Sequence, residues 1–160
     1  MGQDGQTIWT GDDAGAMSLV FRAGSLLCAL RLDEVIETMR PLTVRPLAGT
    51  PSYVRGVTIM RGVPTPVLDV ARLVAGEEAE IVRFVAVRTE RGPVAFATGP
   101  VLGIRPAAAD TAAGPAVLYG GASSRLVAGV GTVDAEPILL LQSMRVLPDE
   151  VWVAAAGVLS

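Results

Sequence analysis

The sequence predicts a mostly all-β chain, two small β-barrels packed side by side with a few short helices, and three observations carry that expectation. Apolar runs are short and β-type, broken at close intervals by the 18 Gly and 11 Pro among 160 residues, which fits sandwiches and barrels better than helices joined by loops. Three pairs of runs are joined by links of three or four residues that read as hairpins. The two halves also echo each other: hairpin, connection, strand pair, then a short apolar helix at 69–74 and again at 142–147. With 51% hydrophobic and 18% charged residues, apolar side chain is left over for the surface, yet each barrel alone would have a meagre core. The two are therefore expected to pack closely or share a cleft.

Residues 1–16, mostly Gly, Asp, Gln and Thr, are expected to form a flexible arm. Met17 to Arg22 and Leu26 to Leu32 flank Ala23-Gly24-Ser25 as a first hairpin. Asp33 is placed to cap a short helix over 33–39, with Val35, Ile36 and Met39 at helical spacing and Pro41 as its stop. Residues 46–54 form a turn-rich loop in which Pro51 opens a single helical turn. Gly56 to Met60 and Thr65 to Leu68 are strands around a tight Arg61-Gly62 connection, after which Asp69 caps a helix over 70–74 ended by Gly76. Glu77, Glu78 and Glu80 make a solvated break. Ile81 to Thr89 and Pro93 to Thr98 pair across Glu90-Arg91-Gly92, and residues 105–125 are a long connection. Leu126 to Val133 and Ile138 to Leu141 form the last hairpin, followed by a helix over Gln142 to Leu147 that Pro148 stops. The first barrel is expected at about 17–76 and the second at about 81–141, with boundaries that can interleave; 148–160 is a tail or short helix.

The absences narrow the function. The chain has no His, so neither a Ser-His-Asp nor a Cys-His pair can form, and one Cys cannot build a thiolate zinc site. Cys28, within Leu26-Leu27-Cys28-Ala29-Leu30, reads as a small buried apolar side chain. Ser123 has no His partner, and Gly129-Val130-Gly131 lacks the third Gly of a dinucleotide loop. Asp33 with Glu34, and Asp149 with Glu150, are adjacent in sequence and suit helix capping better than acid–base work. A formal charge of -3 with singly scattered Arg residues argues against nucleic acid. Met1-Gly2-Gln3-Asp4 shows no export or lipidation signal, and the apolar stretches fall short of the ~18 residues of a membrane span. A soluble, cytoplasmic chain without direct membrane insertion is expected.

One segment is specific. Gly49-Thr50-Pro51-Ser52-Tyr53-Val54-Arg55-Gly56 leads into Val57-Thr58-Ile59-Met60-Arg61-Gly62 and then Pro66-Val67-Leu68-Asp69. It resembles the signature of the CheW-like chemotaxis adaptor family, a G-x-P-x-aromatic-aliphatic-x-G turn followed by G-V-x-N-L-R-G and P-V-[IV]-D-L. The likeness extends to Phe21, Gly24, Ala29 and Leu30, to Val35-Ile36-Glu37, and to Gly129-Val130-Gly131 with Ile138 to Leu141, covering about 17–147. Departures stand at Ile59, where the family usually has Asn, at Gln142 and at Thr98-Gly99.

The resemblance implies two five-stranded SH3-like barrels, no catalysis, no cofactor, and a linking role between the cytoplasmic tips of methyl-accepting chemoreceptors and a CheA-type histidine kinase, with recruitment to receptor arrays. It places Val35, Glu37 and Arg61 near receptor and kinase contacts, Gly62 beside them, Gly56 in kinase binding, and Ile59 at the edge of the receptor surface. Each has a structural counter-reading: Val35 as core, Glu37 as a solvated helix residue, Gly56 as a turn residue, Ile59 as barrel interior. Arg61 has the weakest, because an Arg beside Gly between apolar strands does nothing for packing. Two other readings stand beside the coupling role: a divergent accessory scaffold with altered partner choice, and a small-ligand β-barrel module, which would gather polar groups in a cavity.

Overall fold

The computed structural model describes residues 16–108 and 125–157. The expected arm lies outside these residues apart from Ala16, as does most of the 105–125 connection. Among the described residues are ten strands and two helices: β1 (Ala16–Ala23), β2 (Leu26–Arg31), β3 (Val35–Met39), β4 (Val54–Met60), β5 (Val63–Asp69), α1 (Val70–Ala75), β6 (Arg83–Arg88), β7 (Pro93–Thr98), β8 (Val101–Ala107), β9 (Val127–Val133), β10 (Glu136–Leu141) and α2 (Asp149–Ala156). They form two five-stranded sheets, in the orders β8-β1-β2-β10-β9 and β3-β6-β7-β5-β4. β2 runs parallel to β10 and β5 parallel to β7; the other pairings are antiparallel. The strands interleave, as the expected boundaries at about 17–76 and 81–141 allowed: both ends of the domain build the first sheet and its middle builds the second.

The continuous apolar runs of the inner strands follow from burial on both faces. From β2, Cys28 and Leu30 enter a core shared by the two sheets, while Leu27 and Ala29 enter a cluster belonging to the first sheet with Val20, Ile138 and Leu140. The second sheet mirrors this arrangement: Val85, Val87, Val94 and Phe96 face the shared core, and Phe84, Ala86, Ala95 and Ala97 face its own cluster with Met60 and Val67. Cys28 is fully buried, and burial pushes its thiol up to about 12.

Neither sheet closes into a barrel through its backbone, since the first and last strands of each order do not pair. Both nevertheless curl. A flat five-stranded sheet would hold its outer strands about 19 Å apart, yet Glu37 on β3 meets Arg61 at the β4–β5 turn at 2.8 Å, and Arg105 on β8 meets Asp134 at the β9–β10 turn at 2.7 Å. Side-chain ion pairs span the gaps that hydrogen bonds leave.

Several local expectations are corrected. Residues 33–39 are not a helix: a single 3-10 turn, Leu32–Glu34, leads straight into strand β3, and Asp33 makes no capping bond. The spacing of Val35, Ile36 and Met39 satisfied a helical period, but β-branched Val35 and Thr38, with Glu37 and Met39, pair with β6. Residues 142–147 are irregular, because the Gln142 N–H is donated to Leu126 O and the Ser143 N–H to Glu34. Pro148 starts a helix instead of stopping one. Pro51 accepts the Val54 N–H at 2.9 Å, closing one turn without opening a helix. β8 lies partly within the expected connection, and its Pro106 is tolerated because β8 is an outer strand. The helix at 70–75 is as expected: Asp69 accepts the Arg72 N–H and Gly76 ends it in the left-handed region. No helix among the described residues is long and apolar enough to cross a membrane.

Candidate protein-binding surface

β4 and β5 are joined by two residues, Arg61 at φ 50° and Gly62 at φ 80°, the paired positive dihedrals of a tight turn whose twist matches its strands. Gly adopts such a φ without cost; Arg does not, and here its guanidinium has a partner. Nε and Nη2 of Arg61 donate to the two carboxylate oxygens of Glu37 at 2.8 Å each, a bidentate fork. The pairing holds Glu37 below the usual carboxylate range and raises Arg61, so the pair is intact at neutral pH and is lost only as pH falls below that range.

Around this fork the surface is apolar. Ile59 is 50% exposed, Val63 46% and Ile36 47%. Ile36 lies at a bulge, where the β3–β6 register passes from Val35↔Val87 to Glu37↔Ala86 and leaves it unpaired, and strand alternation turns its large side chain to solvent. Exposed apolar residues around one ordered charge pair suit a protein partner: the apolar groups supply area, and the fork supplies orientation. Among the described residues no group of three or more His, Cys, Asp or Glu is placed to hold a metal ion.

The sequence-predicted residues separate into two groups. Arg61, Glu37, Gly62 and Ile59 come together at this surface; Glu37 stands on a strand rather than on the expected helix. Val35 is half-buried and packs against the shared core. Gly56 has a packing role. Arg45 and Val57 exchange backbone hydrogen bonds of 2.8 Å, and a Cβ on Gly56, whose φ is 142°, would stand 2.0 Å from Arg45 O. Much of the Gly49–Asp69 motif is likewise structural: Pro66, Val67 and Leu68 are buried, and Asp69 accepts from both Arg72 N and Arg55 Nη1. Ile36 and Val63 were missed. Strand alternation, had 35–39 been read that way, would have turned Ile36 outward.

A family model described as the CheW-like domain matches residues 18–151. The chain belongs to this family. CheW-like proteins are non-enzymatic scaffolds of chemotaxis signalling. Protein FrzA of Myxococcus xanthus is 41% identical over 61 residues, a stretch that spans 38% of this chain and 38% of FrzA. The scaffolding protein TtCheW from Thermoanaerobacter tengcongensis superposes with a TM-score of 0.67 at 16% identity, covering 81% of this chain and 90% of that one, and so shares the fold.

Proposed function

We propose that this CheW-like chain is a non-catalytic adaptor that couples chemoreceptor cytoplasmic tips to a CheA-type histidine kinase, in the cytoplasm at receptor arrays. The observation that carries the proposal is the Arg61–Glu37 fork flanked by exposed Ile36, Ile59 and Val63 in a CheW-like fold. A standard interface buries ~800 Å² on each partner, and this surface supplies its apolar centre. The exposure of Ile59, where the family usually has Asn, supports a variant of this reading in which partner choice has shifted. An Ile there leaves a partner's polar group unpaired and so selects against generic receptors. The test is calorimetric titration of the chain with the regulatory region of its cognate kinase and, separately, with a receptor tip. Saturable binding to both is expected. Binding to neither at high micromolar concentration would remove the coupling role.

A further inference from the structure

Two carboxyl groups are buried among the described residues, Asp69 and Glu34, each only 2% exposed. Asp69 has donors on both oxygens. Glu34 does not: Ser143 lies against Oε1, and Oε2 has no hydrogen-bond partner. Its position is strategic, because the 3-10 turn that carries it joins β2 of the first sheet to β3 of the second. Ser143 follows β10 of the first sheet, and the third member of the cluster is the carbonyl of Arg88 at the end of β6 in the second.

Counting hydrogens favours the neutral acid. Ser143 Oγ lies 2.9 Å from Glu34 Oε1 and 2.6 Å from Arg88 O, both hydrogen-bonding distances. A serine hydroxyl has one hydrogen, and a carbonyl has none. That one hydrogen can serve both contacts only as a shared three-centre bond; two full O–H···O bonds need a second hydrogen, which the carboxyl group supplies when neutral. The resulting chain runs from Glu34 Oε1–H to Ser143 Oγ, and from Ser143 Oγ–H to the Arg88 carbonyl, while the Ser143 N–H, at 2.8 Å, takes the remaining lone pair of Oε1. An ionised Glu34 would have to share the single Ser143 hydroxyl hydrogen with the Arg88 carbonyl and would place negative charge on an unpartnered Oε2.

We propose that Glu34 stands in the folded chain as the neutral acid and acts, through Ser143 and the Arg88 carbonyl, as a pH-sensitive clasp between the two sheets that ionisation opens. The electrostatics agree with the geometry. Burial pushes the Glu34 carboxyl up to about 7, against the bonds from Ser143, with neighbouring Asp33 adding to the rise and Arg31 opposing it. The charged groups around the cluster are engaged elsewhere: Arg31 Nη2 donates to Asp33 at 3.2 Å, Arg88 Nε to Asp33 O at 2.9 Å, and Arg145 Nε to Glu90 at 3.2 Å. Because the folded value lies above the ordinary 4.5, the group's contribution is full below 4.5 and is lost as pH rises through about 7.

Carbon-13 NMR of the glutamate carboxyls in the whole chain tests this directly, with the Glu34 signal assigned through its backbone. The expected midpoint lies near neutrality. Chemical denaturation across the same pH range gives the second reading: relative to Glu34→Gln, the wild-type folding constant should fall by up to about tenfold per pH unit between roughly pH 5 and 7 and then level off. A Glu34 midpoint in the ordinary carboxylate range overturns the proposal, and so does a Glu34→Gln chain with unchanged pH dependence. Should that variant fail to fold, the wild-type NMR midpoint decides alone.

Discussion

In the first sheet an outer strand, a hairpin, a parallel junction and a second hairpin follow as β8, β1–β2 and β10–β9; in the second they follow as β3, β6–β7 and β5–β4. The two sheets share one plan down to the ion pair that draws the outer strand to the far turn. Ile104 precedes Arg105 on β8 just as Ile36 precedes Glu37 on β3. The turns differ. Charge is reversed, Asp134 holding Arg105 where Arg61 holds Glu37, and the positions of Ile59 and Val63 are taken by Thr132 and Glu136. Glu136 is itself engaged, by Arg22 at 2.6 and 3.1 Å. The curl is common to both sheets and so belongs to the fold, and exposed Ile104 on β8 matches Ile36 on β3, whereas the exposed apolar pair Ile59 and Val63 is particular to the β4–β5 turn.

The comparison breaks most visibly at the glycines that let chain cross behind each hairpin. A Cβ on Gly56 would meet Arg45 O at 2.0 Å, and one on Gly131 would meet Ala108 O at 2.3 Å, the crossing segment in each case following the outer strand. Gly56 also has φ 142°. Gly56→Ala should therefore cost about 3 kcal/mol or more, from strain and overpacking together. Gly131→Ala, which lacks the dihedral penalty, should cost less. Urea denaturation of both variants checks the ranking, and equal losses would show that the left-handed backbone at Gly56 carries no strain.

A smaller effect separates the turns. Ala135 sits at φ 68° where the matching turn has Gly62 at φ 80°. Ala135→Gly should stabilise the chain and Gly62→Ala destabilise it, each by about 1 kcal/mol, or roughly 2–4 °C in Tm for a chain of this size. Calorimetric melting in which both shifts share one sign would refute the equivalence. Smallest of all is the stability effect of Ile59→Asn, expected within ~0.5 kcal/mol because the side chain is exposed, while binding to a generic receptor tip tightens. A destabilised fold with unaltered receptor preference would return Ile59 to a packing role.

Much of this was legible in the sequence where local chemistry decides structure. The three hairpins, the Asp69 cap, the helix ended by Gly76 and the buried Cys28 follow from turn residues, capping and apolar runs. The motif from Gly49 to Asp69 was legible for a related reason, since Gly56, Pro66 to Leu68 and Asp69 are held by packing. The remainder depends on partners distant in sequence. β3 resembled a helix because Val35, Ile36 and Met39 sit at helical spacing, and only pairing with β6 makes the segment a strand. The parallel junctions of β2 with β10 and β5 with β7 have no local signature, so the halves appeared sequential. Arg61 stood out for having nothing to do in packing, but its union with Glu37 requires the curl of a whole sheet. The inward turn of Glu34 is set by Ser143, 109 residues away.

The central claim is that partner binding resides at the Arg61 turn and not at its counterpart in the other sheet. The most direct test is one calorimetric series: wild type, Arg61→Ala and Asp134→Ala, each titrated with the kinase regulatory region and each melted alone. Both substitutions remove an exposed ion pair, so the two melting temperatures should stay close to wild type. Arg61→Ala should weaken binding about thirtyfold, as loss of an interface hot spot does, while Asp134→Ala leaves affinity unchanged. Equal affinities for all three chains, or a loss confined to Asp134→Ala, would contradict the account.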